Sequence, residues 1–228
     1  EMAMLDLPRL SVPTLPIDGS ADRFPVRRIF CVGQNYAEHA REMGGDPDRA
    51  PPFFFTKPAD AVVENGASLP FPTRTQDLHH EVELVVALGA GGTDVAVEDA
   101  PALIYGWAVG IDLTRRDMQA VAKKAGRPWD MAKGFDRSAP IGPIRPGTPP
   151  ASGAIALCIE GDPRQSGDLS DMIWSVPEII ANLSTYVELA PGDLIFTGTP
   201  AGVGPIAPGQ AVQATIAGLP PLDIAFQN

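Results

Sequence analysis

His79-His80-Glu81-Val82-Glu83-Leu84-Val85-Val86-Ala87-Leu88 is the stretch that decides how this chain is read. Residues two apart in a strand share a face. Glu81 and Glu83 therefore point the same way, and Val85 and Ala87 continue that face. Val82, Leu84 and Val86 form the other face. A polar face exposed to water would not turn apolar halfway along. Two adjacent carboxylates beside buried apolar residues repel each other unless a cation sits between them. Hard divalent ions such as Mg²⁺ take oxygen ligands of this kind. The E-x-E spacing alone also fits a solvated edge strand.

A third carboxylate follows in the sequence. Asp112 ends the apolar run Trp107-Ala108-Val109-Gly110-Ile111, and the carboxyl end of a buried strand suits a ligand as well as a turn. Arg115, Arg116, Asp117 and Gln119 come next, either to hold an anion beside a metal or to ion-pair at the surface. In Tyr36-Ala37-Glu38-His39-Ala40-Arg41-Glu42-Met43, His39 and Glu42 stand i, i+3 on a helix and can touch. A carboxylate fixes the tautomer of an imidazole and raises its basicity, as a water-activating base requires. The competing reading is a pair on an exposed helix. Lys133, in Asp130-Met131-Ala132-Lys133-Gly134-Phe135-Asp136, can steady an enolate oxygen or snorkel to solvent. Phe196-Thr197-Gly198-Thr199-Pro200 opens a glycine-rich loop that lacks the ending of a phosphate loop, yet its amides and Thr199 can hold a carboxylate. Gly89-Ala90-Gly91-Gly92 lacks the third glycine of the dinucleotide fingerprint and reads as a hairpin turn.

The whole chain sets the class of partner. Its 228 residues carry 17 Lys plus Arg against 28 Asp plus Glu, a net charge of −11. Hydrophobic residues make up 44% and charged residues 20%, the balance of a globular protein rather than a disordered one. So acidic a chain lacks the basic surface on which nucleic-acid binding depends. No apolar run approaches the roughly 20 residues that span a bilayer. The expected partner is a small molecule, and an anionic one needs local cations to offset the protein's own field. Cys31 and Cys158 sit in apolar runs and read as buried free thiols, too few for a disulfide framework or a thiolate zinc site. The start of the chain carries no basic segment followed by an apolar one, so a cytoplasmic location is expected.

The 23 glycines and 25 prolines suit many short strands with irregular loops rather than a bundle. Strands are expected at 26–32, 53–56, 61–63, 81–88, 107–113, 155–160, 194–197, 211–216 and 222–226. Three helices are expected. Asn35 caps one over 36–43, which Gly44 and Gly45 stop; a Thr114/Asp117 box opens one over 115–125; a Ser175/Glu178 box opens one running to about 188. The fold class is α+β with β dominant: one domain over 26–228, preceded by an arm over 1–25.

Together these stretches resemble the fumarylacetoacetate hydrolase family. The resemblance rests on Val32-Gly33-Gln34-Asn35-Tyr36, the His79 to Leu84 run, Gly110-Ile111-Asp112-Leu113-Thr114-Arg115-Arg116-Asp117, Trp129 through Phe135, Trp174-Ser175-Val176-Pro177-Glu178, and Gly192 through Gly204. Within that family, Arg23 through Ile29 and Asp46-Pro47 through Asp60 are similar to the fumarylpyruvate hydrolases of gentisate breakdown. The resemblance implies a mixed β-roll, a homodimer, and Mg²⁺ or Mn²⁺ on Glu81, Glu83 and Asp112. It implies a lid helix carrying His39 and Glu42, and keto-acid contacts at Arg116, Gln119, Lys133 and Thr199. Gln34 stands where many relatives carry Arg. The implied reaction is hydrolytic C–C cleavage of an acylpyruvate, a 2,4-dioxo acid, with fumarylpyruvate giving fumarate and pyruvate. In it His39 activates water and Lys133 stabilises the departing enolate. Decarboxylation of oxaloacetate, or tautomerisation or hydration of a related oxo acid, would use the same site. A non-catalytic metal- or metabolite-binding protein is the alternative of another class.

Overall fold

The protein is described as a computed structural model covering residues 11–44 and 50–228. Its centre is a six-stranded mixed sheet in the order Arg145–Pro146, Ile104–Ile111, Val82–Leu88, Asp193–Phe196, Arg28–Gly33, Phe53–Lys57. Asp193–Phe196 and Arg28–Gly33 run parallel and the other neighbours antiparallel. Val82–Leu88 lies in the interior of this sheet and all seven of its residues are buried, which overturns the edge-strand reading.

Both faces of the central sheet are covered. Val82, Leu84, Val86 and Leu88 pack with Ile155, Leu157, Val212, Ile216 and Ile224. Those partners belong to a second sheet, ordered Asp162–Asp168, Ala154–Ile159, Ala211–Ile216, Leu222–Phe226, Ala67–Leu69. Val85 and Ala87 pack on the other side with Ile29, Leu194, Phe196, Ile141 and Ile144. The period-two division of the acid strand is thus the division between two apolar layers, as alternation requires. Thr14–Pro16 and Arg23–Pro25, in the segment assigned to the arm, pair as a small hairpin whose Leu15 and Phe24 join the second layer; residues 1–10 lie outside the described residues. A sheet-dominated single domain with few helices is the expected fold class.

Several expected elements differ locally. The first helix is Ala37–Glu42, and Asn35 does not cap it. The Asn35 amide instead donates to Trp174 O at 2.9 Å and Thr197 O at 2.8 Å, and accepts from Trp174 N at 2.8 Å. Gly44 takes a positive φ of 73° just beyond the helix, in keeping with its role as a stop; Gly45 and Asp46-Pro47 lie outside the described residues. The Thr114/Asp117 box does not form, because Thr114–Arg115 is drawn into a strand pair with Leu78–His80. The helix begins at Arg116 and runs to Lys124. The Ser175/Glu178 box does form, Glu178 accepting from Ser175 N at 2.9 Å and Oγ at 2.8 Å. Its helix, Val176–Leu183, stops earlier than expected because the Ser184 and Thr185 hydroxyls satisfy the carbonyls of Ala181 and Asn182. A fourth helix, Asp130–Lys133, was not anticipated. Gly89 opens a long connection between neighbouring strands rather than a tight hairpin turn, and Cys158 is half-buried where Cys31 is buried.

Candidate active site

The acid strand brings Glu81 and Glu83 to one face at its amino-terminal end, and the next strand of the sheet delivers Asp112 just past its carboxyl end. Pairing of Val82 with Ile111 and of Glu83 with Gly110 sets this alignment. The Asp112 N–H donates to Glu81 O at 2.8 Å. All three side chains are buried, and one carboxylate oxygen from each lies within 4.8 Å of the others.

Three cations face these three acids. Lys133 Nζ lies 2.9 Å from Glu81 Oε2, 2.7 Å from Asp112 Oδ2 and 2.7 Å from Thr114 Oγ1. Arg116 pairs with Glu81 through Nη2 and donates to Gln119 Oε1 at 2.6 Å. Lys57 Nζ lies 2.8 Å from Asp112 Oδ1 and donates to Leu113 O at 3.0 Å and to the Lys133 carbonyl at 2.5 Å. Burial works to raise the Glu81 pKa, but the charges of Lys133 and Arg116 outweigh it and hold the group well below the ordinary carboxylate range. Lys133 is lowered by burial and raised more strongly by Asp112 and Glu81, so it stays firmly cationic.

Glu83 differs from its neighbours. It accepts one hydrogen bond, from Gly198 N at 2.7 Å, and pairs with no cation among the described residues. Burial, then Asp112 and Glu81, push its carboxyl well above the usual range. A buried carboxylate that lacks a counter-charge and stands beside two further acids is a donor set suited to a hard divalent ion. Gly198 takes φ +101°, and a Cβ there would lie 2.6 Å from the Cβ of Asn35. Only glycine places this amide against Glu83.

A narrow opening leads to these groups, lined among others by His39, Glu81, Glu83, Arg116, Gln119, Lys133 and Thr199. His39 is not on an exposed helix face: it is 5% accessible, with Nδ1 3.2 Å from Glu42 Oε2. Glu42 also accepts from Gly202 N at 3.3 Å, which ties the short helix to the glycine-rich loop. Phe53, Phe55 and Trp129 form an aromatic wall, with Trp129 5.6 Å from Phe53 and 5.9 Å from Phe55. Of the nine residues expected from sequence, seven line the opening. Asp112 lies behind Lys133, and Glu42 backs His39. The reading that Lys133 snorkels to solvent is wrong, since Lys133 is 2% accessible.

Sequence reasoning missed Lys57 and Gln165. Lys57 carries a weak signal, a lone lysine closing the apolar run Phe53-Phe54-Phe55. Gln165 carries none, because the residues around it are polar and exposed.

No helix among the described residues is long and apolar enough to cross a membrane. The profile of the family described as fumarylacetoacetate (FAA) hydrolase C-terminal matches residues 28–226. A fumarylpyruvate hydrolase of a Ralstonia species is 46% identical over 169 residues, covering 73% of this chain and 88% of the relative. An oxaloacetate tautomerase of Escherichia coli (strain K12) is 39% identical over 199 residues, covering 86% and 90%. The crystal structure of fumarylpyruvate hydrolase from Pseudomonas aeruginosa in complex with Mn²⁺ and pyruvate superposes with a TM-score of 0.95 at 49% identity, covering 99% of both chains. With a family match over most of its length and relatives this similar, the chain belongs to the fumarylacetoacetate hydrolase family.

Proposed function

We propose that this chain is a divalent-metal-dependent hydrolase that cleaves the C–C bond of an acylpyruvate, with fumarylpyruvate giving fumarate and pyruvate. The observation that carries this reading is a single opening with a carboxylate-held imidazole, His39–Glu42, on one side and the three buried acids on the other. Binding alone needs no base, which argues against a non-catalytic role. The metal class and the reaction also draw support from the Mn²⁺ and pyruvate bound in the Pseudomonas relative.

Glu81, Glu83 and Asp112 would hold Mg²⁺ or Mn²⁺, which supplies Lewis-acid polarisation of the 2-oxo acid end. Glu42 fixes the His39 tautomer with the proton on Nδ1, leaving Nε2 free to accept a proton from water. The hydroxide oxygen bonds to the distal carbonyl carbon of the substrate. The bond from that carbon to the neighbouring methylene then breaks, and its electron pair passes to the pyruvate enolate. The proton on His39 passes to the former methylene carbon of the enolate, giving pyruvate and the free acid. Lys133 and Arg116 offset the charge of Glu81 and Asp112, and with a divalent ion held by the acids the pocket would be positive enough to admit a dianion into a chain of net charge −11. Arg116, Gln119 and Thr199 hold the keto-acid end. The proposal includes a homodimer in the cytoplasm, the dimer being checked by sedimentation equilibrium.

Oxaloacetate tautomerases among the relatives favour a second reading, enol–keto conversion of oxaloacetate in the same pocket. Purified protein supplied with Mg²⁺ or Mn²⁺ should release fumarate and pyruvate stoichiometrically from fumarylpyruvate. Enol-oxaloacetate conversion with no cleavage of any acylpyruvate would replace the first reading by the second.

A further inference from the structure

Gln165 is the only buried residue of Asp162–Asp168, an edge strand of the second sheet that is otherwise exposed or half-exposed. Its side-chain amide uses both acceptor positions and both donor protons. Oε1 accepts from Val82 N at 3.0 Å and stands 2.9 Å from His80 Nδ1. Nε2 donates to Pro200 O at 2.9 Å and to Thr199 Oγ1 at 2.7 Å. This orientation cannot be reversed: the Val82 N–H can only donate and the Pro200 carbonyl can only accept. Two consequences follow. His80 carries its proton on Nδ1, and the Thr199 hydroxyl receives a hydrogen bond from Gln165. Its own proton must therefore point elsewhere.

Thr199 is 2% accessible and lines the opening above the acids. Gln165 bonds the two residues that flank Glu81, His80 and Val82, and also the hydroxyl of a loop residue that lines the opening. One amide thereby fixes the separation between the acid strand and the loop. We infer that Gln165 is a positioning residue which presents the Thr199 hydroxyl as a proton donor to a carboxylate of the bound 2-oxo acid. This rests on the functional reading above.

The test is a double-mutant cycle read by calorimetric binding of pyruvate to the Mn²⁺-loaded protein. Gln165→Met keeps the side-chain length and removes every polar partner, while Thr199→Val removes the hydroxyl at constant shape. Gln165→Met should weaken pyruvate binding about five- to tenfold, the loss of one oriented hydrogen bond. In the Thr199→Val background it should change binding by less than about twofold, because the group it acts through is gone. Mn²⁺ affinity should be unchanged in both. Should Gln165→Met fail to fold, Gln165→Glu serves in its place: any added repulsion of the anion is common to both backgrounds and cancels in the cycle. Equal losses with and without the Thr199 hydroxyl would overturn the inference, assigning Gln165 a structural role only. Wild-type protein that binds no pyruvate would overturn the functional reading itself, and this inference with it.

Discussion

Lys133→Met removes one buried cation from among three buried acids. Nζ is within hydrogen-bond reach of Glu81 and Asp112, so its loss leaves two carboxylate oxygens without their partner. Breaking a buried pair from one side costs about 3–5 kcal/mol. For 228 residues the unfolding entropy is about 0.48 kcal/mol/K, from the per-residue average. The metal-free variant should thus melt about 6–10 °C below the wild type. The metal should then compensate. Lys133 offsets the charge of two of the three clustered acids, so its removal strengthens the negative potential there and metal binding should tighten. A ligand at about 100 times its Kd adds about 2.7 kcal/mol of stability. At one fixed Mn²⁺ concentration the variant should therefore gain more in Tm than the wild type. Turnover should nevertheless fall by about 10²–10³, the usual loss when a fixed donor to developing negative charge is removed. The assays are scanning calorimetry across a Mn²⁺ titration, isothermal titration of Mn²⁺, and steady-state kinetics. A variant that binds Mn²⁺ more weakly than the wild type would refute the reasoning, as would an unchanged Tm without metal.

Glu83→Ala or Asp112→Ala should abolish metal-dependent turnover, and full activity of the wild type in excess chelator would exclude the proposed chemistry. His39→Ala should lower kcat by about 10²-fold or more, and an unchanged kcat would reduce His39 to a packing residue. Gly198→Ala should lower Tm and weaken metal binding together, since the new Cβ forces the Glu83-facing amide away; intact Mn²⁺ affinity would contradict this. Burial works to raise the pKa of Asp117, but hydrogen bonds from the Thr75 hydroxyl and the Gln76 and Met118 amides outweigh it and lower it. Its contribution is therefore present above the unfolded value near 3.8 and is lost as pH falls below it. The Tm gap between wild type and Asp117→Ala should hold above about pH 5 and narrow as pH falls from about 5 to about 2, and a constant gap across that range would sink that assignment.

Sequence alone determined what depends on local geometry. The two-residue period of a strand put Glu81 and Glu83 on one face, and the three-residue spacing on a helix put His39 against Glu42. Both follow from backbone geometry within one element, so no distant residue is needed to predict them. Tertiary structure decided which competing reading of each motif holds. His39 is buried because its helix settles on the Gly202 loop, and the acid strand is interior because Ile104–Ile111 and Asp193–Phe196 pair on either side of it. Capping boxes showed the limit of local signals. Ser175 met no competitor and capped its helix, whereas pairing with Leu78–His80 pulled Thr114 into a strand. Lys57, Gln165 and the partners of Lys133 come from segments far apart along the chain. Burial and charge compensation at these positions arise only when the sheets stack, because the energy of a buried charge or amide depends on what surrounds it, and a linear sequence does not record those surroundings.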